Sequence, residues 1–365
     1  MRLLLIATCV ILSSCSIIDR IERPVMQKKM MSLKWSKKIG PSYETGNLPV
    51  IFNGGRIHED TLYIGDHKNG MTAYELTTGR KIWQKYDQGT YQSRVTIVDD
   101  KIIYGTTEGR LILRQQESGE KVYEIDLGSP IESEITYENG RLFLQLRSHQ
   151  VFALDAISGK ILWSYKRGVP PGTTSQSSAS PIVVGQQLVV GFADGSLVSF
   201  NKFDGQMNWE KNLAEKIKFN DVDNAPAIVG NHLLSFSNGG PLAVVDVKGT
   251  LIQKVLEKPS SSIVVGDDKI FFGNMDGDLV VLNKNYTVLK KLPLTYGPLR
   301  FVQLWKNFIV VTSVTGEVVA IDRQNYKIMK EFHAGGRQSS FVSPMDVNDQ
   351  YLTMTSSLGR LMVFQ

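Results

Sequence analysis

The 365-residue sequence predicts an all-β chain, an eight-bladed β-propeller made of four-stranded antiparallel blades. Three observations lead there. A degenerate unit of about 40 residues recurs through nearly the whole chain, the mark of a repeat architecture whose units complete one another. Each unit reads as short strands joined by tight turns. The two ends of the chain also hold complementary parts of one unit.

The clearest copies are 60–83, 101–123, 141–163 and 187–209, with weaker ones at 233–254, 269–290, 307–330 and 351–365. In the first, Leu62-Tyr63-Ile64-Gly65 is a brief apolar run. Polar residues then lead to Gly70, and Met71–Tyr74 alternates. Thr77-Thr78-Gly79 turns again, and Lys81–Gln84 forms the next strand. Turn glycines are expected at Gly70, Gly109, Gly195, Gly277, Gly316 and Gly359, where positive φ carries no Cβ clash. Ser148 holds that place in the third copy, so its turn is expected to differ. A further strand precedes each unit and often opens with small or polar residues, as in Ala179–Val184 and Asn224–Val229. Sequential pairing through short turns favours a propeller over a parallel β-helix.

The ends test this. The last unit stops at Gln365 after what matches a third strand, and the fourth, Trp-bearing strand is missing. Ser32–Lys37 is an orphan resembling 81–85 and 160–166, with Trp35 in the aromatic position. Pairing this segment with the last blade would close the ring and leave no open edge. Residues 31–365 therefore form one domain.

Net charge is +5, and no stripe of Lys and Arg with interleaved aromatics occurs, which argues against nucleic acid as a partner. Met1-Arg2 followed by the apolar run Leu3–Leu12 is too short to span a bilayer as a helix. It ends in Leu12-Ser13-Ser14-Cys15, which resembles the lipobox of bacterial lipoproteins. That resemblance implies a signal peptide at 1–14, a lipidated Cys15 and a tether at 15–30. Ser16, where an Asp would retain a lipoprotein in the inner membrane of enteric bacteria, implies the outer membrane. Cys9 and Cys15 are the only cysteines, so the mature chain would keep neither a disulfide nor a free thiol.

No catalytic constellation stands out. The five histidines (His58, His67, His149, His232 and His333) fall in different repeats without metal-ligand spacing, and read as turn or surface residues. Asn238-Gly239-Gly240 lacks the lysine of a phosphate loop, and Asp276-Gly277-Asp278 lacks the ligands of a calcium loop. Neither metal nor cofactor is expected. Ala153–Trp163 resembles the unit of pyrroloquinoline-quinone-type propellers, with looser copies at 74–83 and 200–209. In quinoprotein dehydrogenases of that superfamily the cofactor sits on the axis, commonly with calcium and a pair of adjacent cysteines. This chain has no such pair. A turn acceptor and an inter-blade aromatic explain the repeat's Asp and Trp.

Eight such repeats behind a lipobox resemble the BamB family, lipoproteins of the outer-membrane β-barrel assembly (BAM) machinery. The most specific stretch is Asn220-Asp221-Val222-Asp223-Asn224-Ala225-Pro226 followed by a β run. The resemblance implies a non-enzymatic scaffold facing the periplasm, docking a POTRA domain of the barrel-forming subunit BamA beside other BAM subunits. It assigns Asp221 and Asp223 to partner contact. One residue apart on a strand, they would share a side and present one acidic patch. Caps on loop amides are the structural alternative for both. Ser175 and Gln176 fall in the neighbouring docking loop, 172–180, which is polar here where family members place leucines and an arginine. The chain therefore either docks its partner differently or serves another client. Another envelope protein or a cell-wall glycan is the alternative partner, and a quinone-dependent dehydrogenase the less favoured activity.

Overall fold

The apolar runs at the centre of each unit become the two middle strands of a blade, and both their faces are covered. This is why Leu62-Tyr63-Ile64 or Leu111-Ile112-Leu113 read as continuous apolar runs and not as alternating ones. The computed structural model describes residues 31–40, 53–66, 68, 70–169, 178–215, 219–333 and 339–365. Among them every regular element is a strand, arranged as eight four-stranded antiparallel sheets.

Blade 1 comprises Arg56–His58, Thr61–Gly65, Gly70–Glu75 and Lys81–Tyr86, from the axis outward. Blades 2 to 7 follow at 96–126, 136–166, 182–212, 227–255, 264–293 and 299–333. Blade 8 takes three strands from 346–364 and its outermost from Leu33–Lys38, which pairs antiparallel with Arg360–Phe364. The N-terminal strand thus closes the ring, as its sequence implies. The inner strands are shorter than expected: only Ile182–Val184 and Ala227–Val229 are strand, and the small or polar residues before them lead in from the axis.

Apolar clusters lie between neighbouring blades. Leu361 and Val363 of blade 8 pack with Leu62 and Ile64 of blade 1, and Val310 and Val318 of blade 7 pack with Leu352 and Met354 of blade 8. In blades 1, 3 and 4 an outermost tryptophan locks the blade to the next. Trp83, Trp163 and Trp209 donate Nε1–H to the carbonyls of Gln116, Lys202 and Val247 in the following blade at 2.8, 3.1 and 2.9 Å. Each indole lies on the glycine of that blade's last turn. A Cβ on Gly119, whose φ is +68°, would stand 2.7 Å from the Trp83 ring. The repeat's Trp and Gly are therefore two halves of one contact.

Every outermost strand also carries a register shift at an equivalent place, such as that between Ala73 and Tyr74 opposite Trp83. With lysines such as Lys81 and Lys121 exposed beside it, this bulge spoils the edge for pairing with another chain.

Two turn assignments need correction. Gly70 is the first residue of a strand, and its N–H is held by the Asp66 carboxylate at 2.9 Å. In blade 3 the left-handed position belongs to His149 (φ +60°), not Ser148. His149 is buried and so is not a surface residue, because that turn folds under the loops of the following blades.

Candidate docking site at the axial mouth

The turns between the two middle strands share one face of the disc with the crossovers between blades. On that face a polar residue stands three positions before the inner strand in blades 1, 3, 5, 6 and 8. These residues repeat one bond, to a backbone group twelve residues on. Asn53, Ser133, Asn224 and Ser343 donate to the carbonyls of Gly65, Gln145, Phe236 and Thr355 at 2.8–3.1 Å. Ser261 accepts from the Gly273 N–H at 2.7 Å. The middle strand needs a partner there because the inner strand has already ended.

Charges fill the axis itself. The Arg94 guanidinium lies 2.8 Å from Glu134 and 3.2 Å from Asp346, and Arg56 pairs with the same two carboxylates. Asp346 also accepts the Ile57 N–H at 2.7 Å. Burial raises the Asp346 carboxyl above its ordinary range, while Arg56 and Arg94 pull it back. Burial opposes the Arg94 charge, but Glu134 and Asp346 outweigh it. These four residues tie blades 1, 2, 3 and 8 together. Sequence reasoning missed them, although an arginine or acid at or just before the inner strand of four blades was a readable signal.

Beside this cluster opens a cavity of about 560 Å³, lined by Arg94, Glu132, Ser180, Asp223, Arg300 and Phe301 among others. Burial raises both Glu132 and Asp223. Arg147, at 3.3 Å, opposes it for Glu132, and Arg300 opposes it for Asp223 while Asp221 adds to the rise. The Ser93 Oγ, buried in the same wall, has no hydrogen-bond partner.

The loop bearing Asp221 and Asp223 is not a strand, so the two carboxylates do not present one patch. Asp221 is fully buried, and its carbonyl accepts the Asn238 N–H at 2.9 Å. Val222 packs against Gly191, and its N–H donates to the Phe192 carbonyl at 3.1 Å. Only Asp223 reaches the cavity. His149 lies under this loop. Burial pushes its pKa down, while Asp221 and Asp194 pull it up, and its Nδ1 has no hydrogen-bond partner. Cys15, Ser175, Gln176 and His67 lie outside the described residues. The described end of the 172–180 loop is used internally, since the Ser180 Oγ accepts the Glu134 N–H at 2.9 Å.

The family profile described as outer membrane protein assembly factor BamB matches residues 67–332. The chain belongs to the BamB family. The BamB of Nitrosomonas eutropha is 24% identical over 219 residues, 58% of this chain and 52% of that one. The BamB of Shewanella oneidensis is 21% identical over 383 aligned residues, 96% of this chain and 95% of its own. Among solved structures, BamB from Moraxella catarrhalis superposes with a TM-score of 0.75 at 18% identity, over 92% of this chain and all of that one. A quinohemoprotein alcohol dehydrogenase from Comamonas testosteroni shares the fold, with a TM-score of 0.73 at 11% identity over 92% of this chain and 76% of its own.

The residues on the axis of this BamB-family chain do not fit a quinone with its metal. The Arg56 and Arg94 guanidinium groups are already matched to Glu134 and Asp346. Among the described residues no three His, Cys, Asp or Glu side chains are grouped to hold a metal ion.

Proposed function

We propose that this chain is a non-enzymatic scaffold of the outer-membrane β-barrel assembly complex. It docks the POTRA region of a BamA-like subunit and holds other BAM subunits near the membrane. The observation that carries this is the BamB family match across seven of the eight blades. The pairing of Arg56 and Arg94 with Glu134 and Asp346, which ties four blades together, supports a structural use of these axial charges.

Residues 1–14 are a signal peptide, Cys15 carries the lipid, and 15–30 tether the propeller to the periplasmic face of the outer membrane. Lipid anchorage and a rigid disc raise the effective concentration of subunits at the membrane. Partner contact centres on the axial mouth. Asp223 supplies the carboxylate there, Asp221 holds the loop from within, and Ser175 and Gln176 lie on the adjoining loop.

A photoreactive residue at Phe219 and at Asp223, in intact cells, tests the assignment. An adduct to the BamA-like subunit supports it. Adducts only to another envelope protein, or to glycan, with Cys15 lipidated and the propeller folded, would replace the partner while leaving the scaffold.

A further inference from the structure

The docking loop at 172–180 is polar, yet the same face carries apolar side chains elsewhere. Leu256 is 88% exposed, and Tyr296 is fully exposed. Met275, Val314 and Phe219 are also exposed. Isolated exposed apolar residues are ordinary. The turns that bear Leu256, Met275, Tyr296 and Val314 are not isolated, because backbone bonds stitch them together across blades 5 to 7. The Met275 N–H donates to the Lys258 carbonyl at 3.1 Å, two residues from Leu256. The Leu294 and Thr295 N–H groups donate to the Gly277 carbonyl at 3.1 and 3.2 Å, which places Tyr296 beside the Met275 turn. The Val314 N–H donates to the Pro298 carbonyl at 3.2 Å.

The backbone of the arc is therefore held before any partner arrives, which lowers the part of the ordering cost that the loops would otherwise carry. Arg300 joins it to the axial cavity. Both signs of charge flank it, with Glu257 and Asp276 beside Lys258 and Arg300. A basic excess would suit an anionic lipid surface. Apolar anchors inside a balanced polar rim suit a folded protein.

We infer that the blade 5–7 arc anchored by Leu256 and Tyr296 is the apolar part of the partner-docking surface, taking over from the polar 172–180 loop. This rests on the scaffold reading above and names where its binding energy lies. The occupant is the BamA-like subunit, presenting an apolar patch of its own.

The test places a photoreactive residue at 256, 296, 175 or 176, with Ile157 on the opposite face as control, in intact cells. In parallel, Leu256→Asp and Tyr296→Ala are scored for co-purified BamA-like subunit. The expected result is adducts to that subunit at 256 and 296 and a loss of about tenfold or more in co-purification, with the thermal midpoint of the isolated protein unchanged. Adducts at 175 and 176 alone would overturn the inference and keep the scaffold reading. Adducts between two copies, or to another protein, at 256 and 296 would overturn it as well. The absence of a BamA-like adduct at every position would remove both.

Discussion

The Trp35 indole donates to the Leu76 carbonyl at 2.8 Å, so the first described strand of the chain locks the last blade onto the first. Its ring lies over Gly79, where a Cβ would stand 2.8 Å away, the same seat that Trp83 takes on Gly119. The closing contact is therefore the ordinary inter-blade contact, made by a strand that arrives from the other end of the chain.

Trp35→Ala removes both the ring packing and the bond. A loss of about 2–4 kcal/mol is expected, seen as a lower urea midpoint for the whole propeller. Deleting residues 31–39 leaves blade 8 with three strands and should lower the midpoint further. A single transition at the wild-type midpoint in the deletion would show that the ring does not depend on this strand.

Fold was legible where physics repeats itself. Strands buried on both faces read as nearly continuous apolar runs, and a missing Trp-bearing strand at one end finds its match in Trp35 at the other. The site was less legible because its parts meet only through the ring. Arg56 and Asp346 are 290 residues apart, and Arg94 and Glu134 are 40 apart. Asp221 could not be placed by strand periodicity, since its loop runs inward toward the axis. His149 was missed by one position, because a degenerate turn without glycine does not reveal which residue takes positive φ.

A second buried pair deserves its own test. Asp87 and Arg114 meet at 2.5 Å with side chains 1% and 5% exposed, and the Tyr91 and Tyr104 hydroxyls donate to the same carboxylate at 3.0 and 2.7 Å. Arg114→Met strands that carboxylate away from water and should cost about 3–5 kcal/mol. Adding Asp87→Leu should restore much of the loss. Chemical denaturation of both variants reads this, and a double variant weaker than the single would refute the ion-pair account.

Asp223 stands to lose stability for its position. Burial raises its carboxyl, so the folded chain takes up a proton more readily than the unfolded chain, whose aspartates titrate near about 3.9. Its contribution to stability falls as pH rises through the interval from the unfolded to the raised folded value, and stays low above it. Asp223→Asn should therefore melt above wild type at pH 7, with the gap closing toward pH 4. The same variant should bind the BamA-like subunit more weakly, separating stability from docking.

His149 titrates in the opposite sense. Burial lowers its pKa, so below about 6.5 the unfolded chain takes a proton that the folded chain resists, and stability is lost as pH falls toward the folded value. Asp194 and Asp221 face the ring from blades 4 and 5 and limit the shift. Glycine is the natural occupant of this turn, as Gly109 and Gly195 are in blades 2 and 4 with φ of +79° and +91°. His149→Gly relieves a non-glycine residue held at positive φ, which costs about 1 kcal/mol or more. It also removes buried imidazole packing, so the two effects nearly offset at pH 7.5. At pH 5 the variant has no imidazole to protonate and should gain on wild type. Thermal midpoints of the two proteins at pH 7.5, 6 and 5 read the difference, which should widen steadily in favour of glycine. A constant difference would mean that His149 titrates alike in the folded and unfolded chains, and that the turn bears only steric strain.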